Sequence, residues 1–306
     1  MLTLKTVSSS ELLTEYGITY LKIFNEIFEK EHGPDHFRNK YINKATTEES
    51  YHIIGLFNDQ IISALSIIPY RYNIFFEKSV VGLVCDAFVH KDFRKNIMLL
   101  KEMFNTLSMH CLESYGIKYY ISAPNEKATK YWKKICNWER CDEIKIQIIP
   151  YKIFGFNFRF AVIPIIYLSY SVFNFSRKTI KLPITLNEDD NFFNFRFQQN
   201  IAYSRLSDKV YYRIVHEGKF NVLYVFGLHH LSMLQRITVL KKLYSFNLPA
   251  HLICIGSNKQ IFPFIQIPKK IYNRNHEILF VNMNEDSNIH ITPKTLFFSL
   301  SNIDNR

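Results

Sequence analysis

The clearest patterning lies between Val80 and Lys101. An apolar run ending at Val89 passes without a break into the basic turn His90-Lys-Asp-Phe-Arg94-Lys95 and then into an amphipathic stretch. That order predicts a strand, a turn and a helix. Further on, Tyr119-Tyr-Ile-Ser predicts another strand, followed by a short helix carrying Lys127, Lys130, Lys133 and Lys134. The polar pairs Asn58-Asp59 and Glu217-Gly218 interrupt β-rich apolar runs and predict hairpin turns. Each hairpin follows an aromatic-basic-aromatic segment, Phe37-Arg38-Asn-Lys40-Tyr41 in the first half and Phe193-Asn-Phe-Arg196-Phe197 in the second. An echo at that distance has the length of a domain and not of a solenoid repeat. The second half continues as a strand (Asn221 to Phe226), a helix (Leu231 to Tyr244), a strand (Ala250 to Ile255) and a closing strand, Ile278 to Asn282.

The first of these segments has a chemical reading. A helix N-terminus presents backbone N–H groups and the positive end of its dipole, so a pyrophosphate can dock there, with Arg94 and Lys95 adding charge. Strand-His90-Lys-Asp-Phe-Arg94 resembles the strand and pyrophosphate loop of the GNAT superfamily, the acetyl-coenzyme A-dependent N-acetyltransferases. Ile97 and Leu99 stand where that loop has small residues. The segment Tyr119-Tyr-Ile-Ser-Ala-Pro124-Asn125-Glu-Lys-Ala128-Thr-Lys-Tyr131-Trp132 resembles the family's second signature, a strand ending in Asn followed by a helix with Ala and Tyr. Trp132 falls on the tyrosine position, and Tyr131 comes one residue early.

The resemblance implies an α/β (α+β) chain of two GNAT-like domains in tandem, each a mixed twisted sheet flanked by helices. Residues 1–155 would bind acetyl-CoA, and residues 156–306, which lack the loop and the Pro-Asn segment, would be a degenerate copy shaping the acceptor site. It also implies that the coenzyme contacts Phe88, Val89, Arg94, Lys95, Asn96, Ile97, Met98, Leu99, Asn125, Lys130 and Tyr131, with a backbone amide of Phe88 or Val89 polarising the thioester carbonyl. Asp86 interrupts an apolar strand and is the candidate base, since burial would raise its pKa; a carboxylate satisfied by backbone amides is the other reading. His90 is the alternative base and Tyr131 the candidate acid.

Composition adds limits. The 306 residues suit about two domains, and 47% hydrophobic with 21% charged residues describes a folded chain. A net charge of +11 implies an anionic partner. Because the basic residues are dispersed and no recognition motif appears, nucleic acid is not the expected one. The five cysteines and eleven histidines show no ligand spacing, so no metal is expected and the thiols suit a reducing compartment. No secretory signal is evident, and the apolar run from Phe160 to Phe173 contains Pro164 and is too short to span a bilayer. A cytoplasmic protein without stable membrane insertion is expected.

The surplus positive charge and a resemblance to tandem proteins of bacterial surface-polysaccharide loci point to a nucleotide-linked amino sugar as acceptor. His36, Arg38, Tyr41 and Arg196 are its candidate contacts, by stacking and by pairing with the diphosphate. Two other readings stay open: a non-catalytic GNAT-like scaffold, and a transferase drawing aminoacyl groups from charged tRNA.

Overall fold

Ser8 ends one element and begins the next. Its hydroxyl accepts the Glu11 amide while the Glu11 carboxylate accepts the Ser8 amide at 2.7 Å, a reciprocal helix cap. The chain thus passes from β1 (Leu2–Ser8) into the single turn α1 (Ser9–Glu11), then α2 (Gly17–Phe28) and α3 (Pro34–Tyr41), which opens on a proline. Strands β2 (Tyr51–Phe57) and β3 (Gln60–Ile74) follow, joined by Asn58 and Asp59 at φ 48° and 59°. Paired left-handed residues make the turn whose twist suits a hairpin, as expected of this dipeptide. Next come β4 (Glu77–Val89), a 3-10 turn at Lys91–Phe93, α4 (Leu99–Tyr115), β5 (Tyr119–Ser122) and α5 (Glu126–Lys134).

Beyond them run β6 (Glu139–Pro150), a small ladder of β7 (Lys152–Ile153) with β8 (Phe156–Asn157), and β9 (Ile184–Leu186). Then follow β10 (Ser204–Ser207), the expected second hairpin of β11 (Val210–Glu217) and β12 (Phe220–Phe226), α6 (Met233–Ser245), β13 (Leu252–Ser257), β14 (Ile265–Gln266) and β15 (His276–Asn282). This computed structural model describes residues 1–42, 49–75, 77–153, 156–159, 161–164, 182–198, 203–268, 276–283 and 296–299. Most of the apolar run at 160–173 and of the tail at 297–304 lies outside the described residues. Among the described residues, no helix is long and apolar enough to cross a membrane.

Contacts divide the chain into two units. The first comprises Met1–Asp142, Ile184–Phe195 and Glu277–Thr292; the second comprises Glu143–Pro183, Arg196–His276 and Pro293–Arg306. The sequence reading cuts the chain once, between 155 and 156, whereas each observed unit draws on separated stretches. Within the first unit β1 to β4 form an antiparallel meander, β5 joins β4 in parallel through α4, and β9 extends β3. Within the second unit β10, β11 and β12 are antiparallel, and β13 joins β12 in parallel through α6. A parallel neighbour needs a crossover, and each unit has one amphipathic helix at that place. Both units are therefore mixed sheets with helices, as the α/β expectation holds.

One expectation is corrected. Chain order places the closing strand Ile278–Asn282 in the second half, but β15 lies antiparallel to β5 in the first unit, Phe280 opposite Ile121. In the second unit the corresponding place beside β13 is taken by β6, with Ile149 opposite Ile253. A short strand with a continuous buried centre, Ile278 to Phe280, can close either open edge, and its own sequence does not say which.

Each unit has its own core. Helix α4 buries Leu99, Met103, Leu107 and Cys111, at helical spacing, against Ile67, Val84, Trp132 and Trp138. Helix α6 buries Ile237, Leu240 and Tyr244 against Tyr151, Leu223 and Ile253. Gly82 is required where β4 meets β5: a Cβ there would lie 2.6 Å from the ring of Tyr120, itself fully buried.

Candidate active site

Strands β4 and β5 pair only from Val81 opposite Tyr119 to Leu83 opposite Ile121. The Ser122 hydroxyl then reaches the Val84 carbonyl at 2.9 Å, β5 ends, and β4 runs on to Val89. Beyond that point the edge of β4 has no strand partner among the described residues, a gap in the pairing that runs from Cys85 to Val89. Across the other edge the register pairs Ser63 with Val89, and the His90 amide donates to the Ile62 carbonyl at 2.7 Å. Alternation in an antiparallel ladder therefore turns the amide and carbonyl of Val89 away from β3. The Val89 carbonyl accepts Nε of Arg94 at 3.0 Å, and its amide points the same way, toward the gap. Phe88 is buried on the other side, packed against Tyr20, Phe24 and Phe28.

The basic turn lies at the end of this gap. Arg94, Lys95, Asn96, Ile97 and Met98 are all exposed, while Leu99 enters the core as the first residue of α4. His90 is half-buried, with Nδ1 3.5 Å from the Asp92 carboxylate. Amides at the start of α4 are held by the chain itself. Oδ1 of Asn96 accepts the Met98 amide at 3.2 Å and its carbonyl accepts the Leu99 amide at 3.3 Å. The Tyr131 hydroxyl donates to the Ile97 carbonyl at 2.6 Å and accepts the Lys101 amide at 3.2 Å. Burial, with the neighbouring Cys136, pushes the Tyr131 phenol up to about 12. Trp132 occupies the core beside Phe104 and Trp138, so of the two aromatics only Tyr131 meets the loop. Asn125 caps α5, its Oδ1 accepting the Ala128 amide at 2.9 Å. Lys130 pairs with Glu126 at 3.2 Å on the exposed face of that helix.

Asp86 occupies the bulge of β4. Ser66 faces Cys85 and Ala64 faces Phe88, so Leu65 meets two residues, Asp86 and Ala87, and Asp86 adopts φ 50°. Its carboxylate is grasped by Lys40, whose Nζ lies 2.9 Å from Oδ1 and 2.8 Å from Oδ2, and by the Tyr41 hydroxyl at 2.7 Å from Oδ2. Burial would raise the Asp86 pKa, but the Lys40 charge and the hydrogen bonds from Lys40 and Tyr41 outweigh it and hold the carboxyl below its ordinary value. The expected upward shift is corrected: the group is buried, yet ionised and fully engaged. Tyr20 donates to or accepts from Tyr41 at 3.0 Å, and Tyr41 packs on His52. The ring nitrogens of His52 bond Ser9 and Ser66 at 2.9 and 2.8 Å, and burial pushes its pKa down to about 3.

Of the candidate acceptor contacts, Arg38 is exposed and His36 half-buried, whereas Tyr41 and Arg196 are buried. Tyr41 serves Asp86, and the Arg196 guanidinium lies over the rings of Phe197 and Tyr203. Arg196 belongs to the second unit and the other three to the first. Sequence reasoning missed Lys40, although a lysine one turn after His36 and between the buried Phe37 and Tyr41 was a signal that its ammonium meets a partner inside.

No family model matches the sequence, and no curated protein matches it. The fold is similar to solved structures. A probable N-acyltransferase of unknown function from Enterococcus faecalis is 9% identical, with a TM-score of 0.56 over 93% of this chain and 73% of that one. GCN5-related N-acetyltransferases from Kribbella flavida and Anabaena variabilis are 7% and 9% identical, with TM-scores of 0.54 and 0.53, each over 92% of this chain and 72% and 73% of theirs. The parted strands, the basic turn and the helix behind it thus sit in a chain with the fold of the GCN5-related N-acetyltransferases.

Proposed function

We propose that the protein is an acetyl-CoA-dependent N-acetyltransferase whose acceptor is the amino group of a nucleotide-linked amino sugar. The carrying observation is the gap between β4 and β5, with the Val89 amide turned into it and the basic turn 90–98 at its end. A thioester lying along β4 has its carbonyl oxygen on the Val89 N–H, which stabilises the charge that develops during amine attack. Arg94 and Lys95 face the coenzyme's phosphates, and the pyrophosphate exchanges places with the contacts that Asn96 and Tyr131 make to the start of α4. Asp86, held ionised by Lys40, fixes the bulge that aims the last residues of β4.

Those same contacts favour a second reading, a GNAT-like binding protein without catalysis, because the amides that would cradle phosphate already have partners in the chain. Titration calorimetry with acetyl-CoA separates the two. The transferase gives saturable heat and releases coenzyme A thiol when a UDP-linked amino sugar is added. A folded protein that gives neither refutes the transferase reading.

A further inference from the structure

The parallel pairing of the second unit also stops short. β12 and β13 pair only from Val222 opposite Leu252 to Tyr224 opposite Cys254. Beyond them β12 turns aside at Gly227, whose φ is 82°, while β13 runs on to Ser257 with its other edge on β6. A cavity bounded by Val225 and Phe226 of β12, Ile255 and Gly256 of β13, and Ser299 lies where the two strands separate. Among the described residues no strand enters the corresponding break in the first unit, whereas here another stretch of chain does. Ser299 bridges Ser257 in antiparallel sense, and because Lys145 of β6 faces Ser257 across one edge, Ser299 holds the edge that β12 has left. Asn258 grips that stretch by its backbone. Its amide donates to the Phe298 carbonyl at 2.9 Å, its Oδ1 accepts the Phe298 amide at 2.9 Å, and its Nδ2 donates to the Leu296 carbonyl at 2.8 Å. Leu296 and Phe298 are fully buried, while Phe297 between them is half-buried, its ring centroid 4.5 Å from that of His229.

We infer that the break between β12 and β13 is a slot for an extended peptide, that residues 296–299 are its resident occupant, and that their release opens the slot to another segment of the same pattern. Side chains two apart on an extended chain share a face, and Leu296 and Phe298 are the two that the slot buries, so a ligand needs bulky apolar residues at that spacing. The hydrogen bonds from Asn258 go to main-chain groups, which every peptide offers, so they add affinity without further selection. Two features make the occupant separable from the slot. It is supplied from 38 positions beyond Asn258, after the chain has left the second unit to form β15 in the first. The cavity beside Ser299 also withholds packing contacts from that end of the segment. A stretch held in this way opens locally, at a lower free energy than the core beneath it. Every residue of the slot belongs to the second unit, apart from the elements that would hold the coenzyme.

The test uses the full chain and a fluorescein-labelled synthetic peptide of residues 293–301. In Leu296→Asp/Phe298→Asp the resident segment would have to bury two carboxylates, and it leaves the slot instead. This variant should bind the peptide saturably in fluorescence anisotropy, at least about tenfold tighter than wild type, where the tethered segment competes at high effective concentration. Adding Asn258→Ala should weaken that binding at least about tenfold, and a peptide with Asp at the positions of Leu296 and Phe298 should not bind. Native-state hydrogen exchange on wild type and Asn258→Ala keeps the question decidable even where the double variant misfolds. The Phe298 amide, bonded to the Asn258 side chain, should exchange ahead of the α6 amides in wild type and at least about tenfold faster still in Asn258→Ala, with α6 protection unchanged. A double variant that keeps α6 protected yet binds no peptide overturns the assignment. So does a Phe298 amide that exchanges only together with α6 in both proteins, since the segment would then be part of the core and not an occupant.

Discussion

Lys40→Met tests the buried pair on which the bulge of β4 depends. The two side chains are 3% and 4% exposed, so the variant leaves the Asp86 carboxylate in the interior with the Tyr41 hydroxyl but without its nearest counter-charge. Stripping one member of a buried pair costs about 3–5 kcal/mol. Against a domain stability of about 5–15 kcal/mol, that brings the protein to the edge of unfolding. The pH dependence carries a sign. In the wild type the Asp86 carboxyl sits below its ordinary value, so its contribution is complete above that ordinary value and is lost as pH falls through the lower folded one. In Lys40→Met the largest influence, burial, is opposed only by the Tyr41 hydrogen bond and by His36 and raises the carboxyl, so protonation on acidification removes the buried charge and narrows the gap to wild type. Urea unfolding at pH 7 and pH 5 should show the deficit shrinking by more than about 1 kcal/mol. Lys40→Met/Asp86→Asn, which leaves no unpaired charge, should recover over half of it. A deficit below about 1 kcal/mol at pH 7, or one unchanged at pH 5, would refute the reasoning, since the pair would then be worth no more than a surface contact.

Three further outcomes are expected. Arg94→Glu with Lys95→Glu should weaken acetyl-CoA binding at least about tenfold, ~1.4 kcal/mol, in calorimetry; unchanged affinity in the folded variant would move the coenzyme elsewhere. Tyr131→Phe removes the contacts to Ile97 and Lys101 and should lower unfolding stability by about 1–2 kcal/mol, so an unchanged denaturation midpoint would mean that the loop is held by other groups. Gly82→Ala would place a Cβ 2.6 Å from the Tyr120 ring and should cost about 1–3 kcal/mol, measured by thermal melting; a neutral result would show that β4 and β5 can move apart.

What the chain discloses in one dimension is local. The Asn58-Asp59 turn, the strand into Val89 and the buried spacing of Leu99, Met103 and Leu107 all follow from neighbours in sequence. What escapes is settled across distance. Lys40 reaches Asp86 over 46 positions, and without that partner a carboxyl in an apolar strand reads as one whose pKa rises. Tyr131 and Trp132 are adjacent in a helix, and only the packing of Trp132 on Phe104 and Trp138 decides which of them turns toward the loop. The placement of β15 beside β5 is the same kind of fact, since its apolar run Ile278–Val281 predicts a strand but not a neighbour.

That neighbour has a consequence for how the protein is made. Strand β5 ends at Ser122, but the strand that covers its outer edge begins at His276. At a synthesis rate of roughly 5–20 residues per second, the nascent first unit waits on the order of ten seconds with that edge uncovered. Meanwhile β6, which is destined for β13, is already available beside it. An open strand edge is a template for any extended segment, including one on another ribosome. Yield of the native protein is thereby tied to translation speed and crowding of nascent chains, so a slowed ribosome between β5 and β15 lowers recovery of a protein whose finished stability is unchanged.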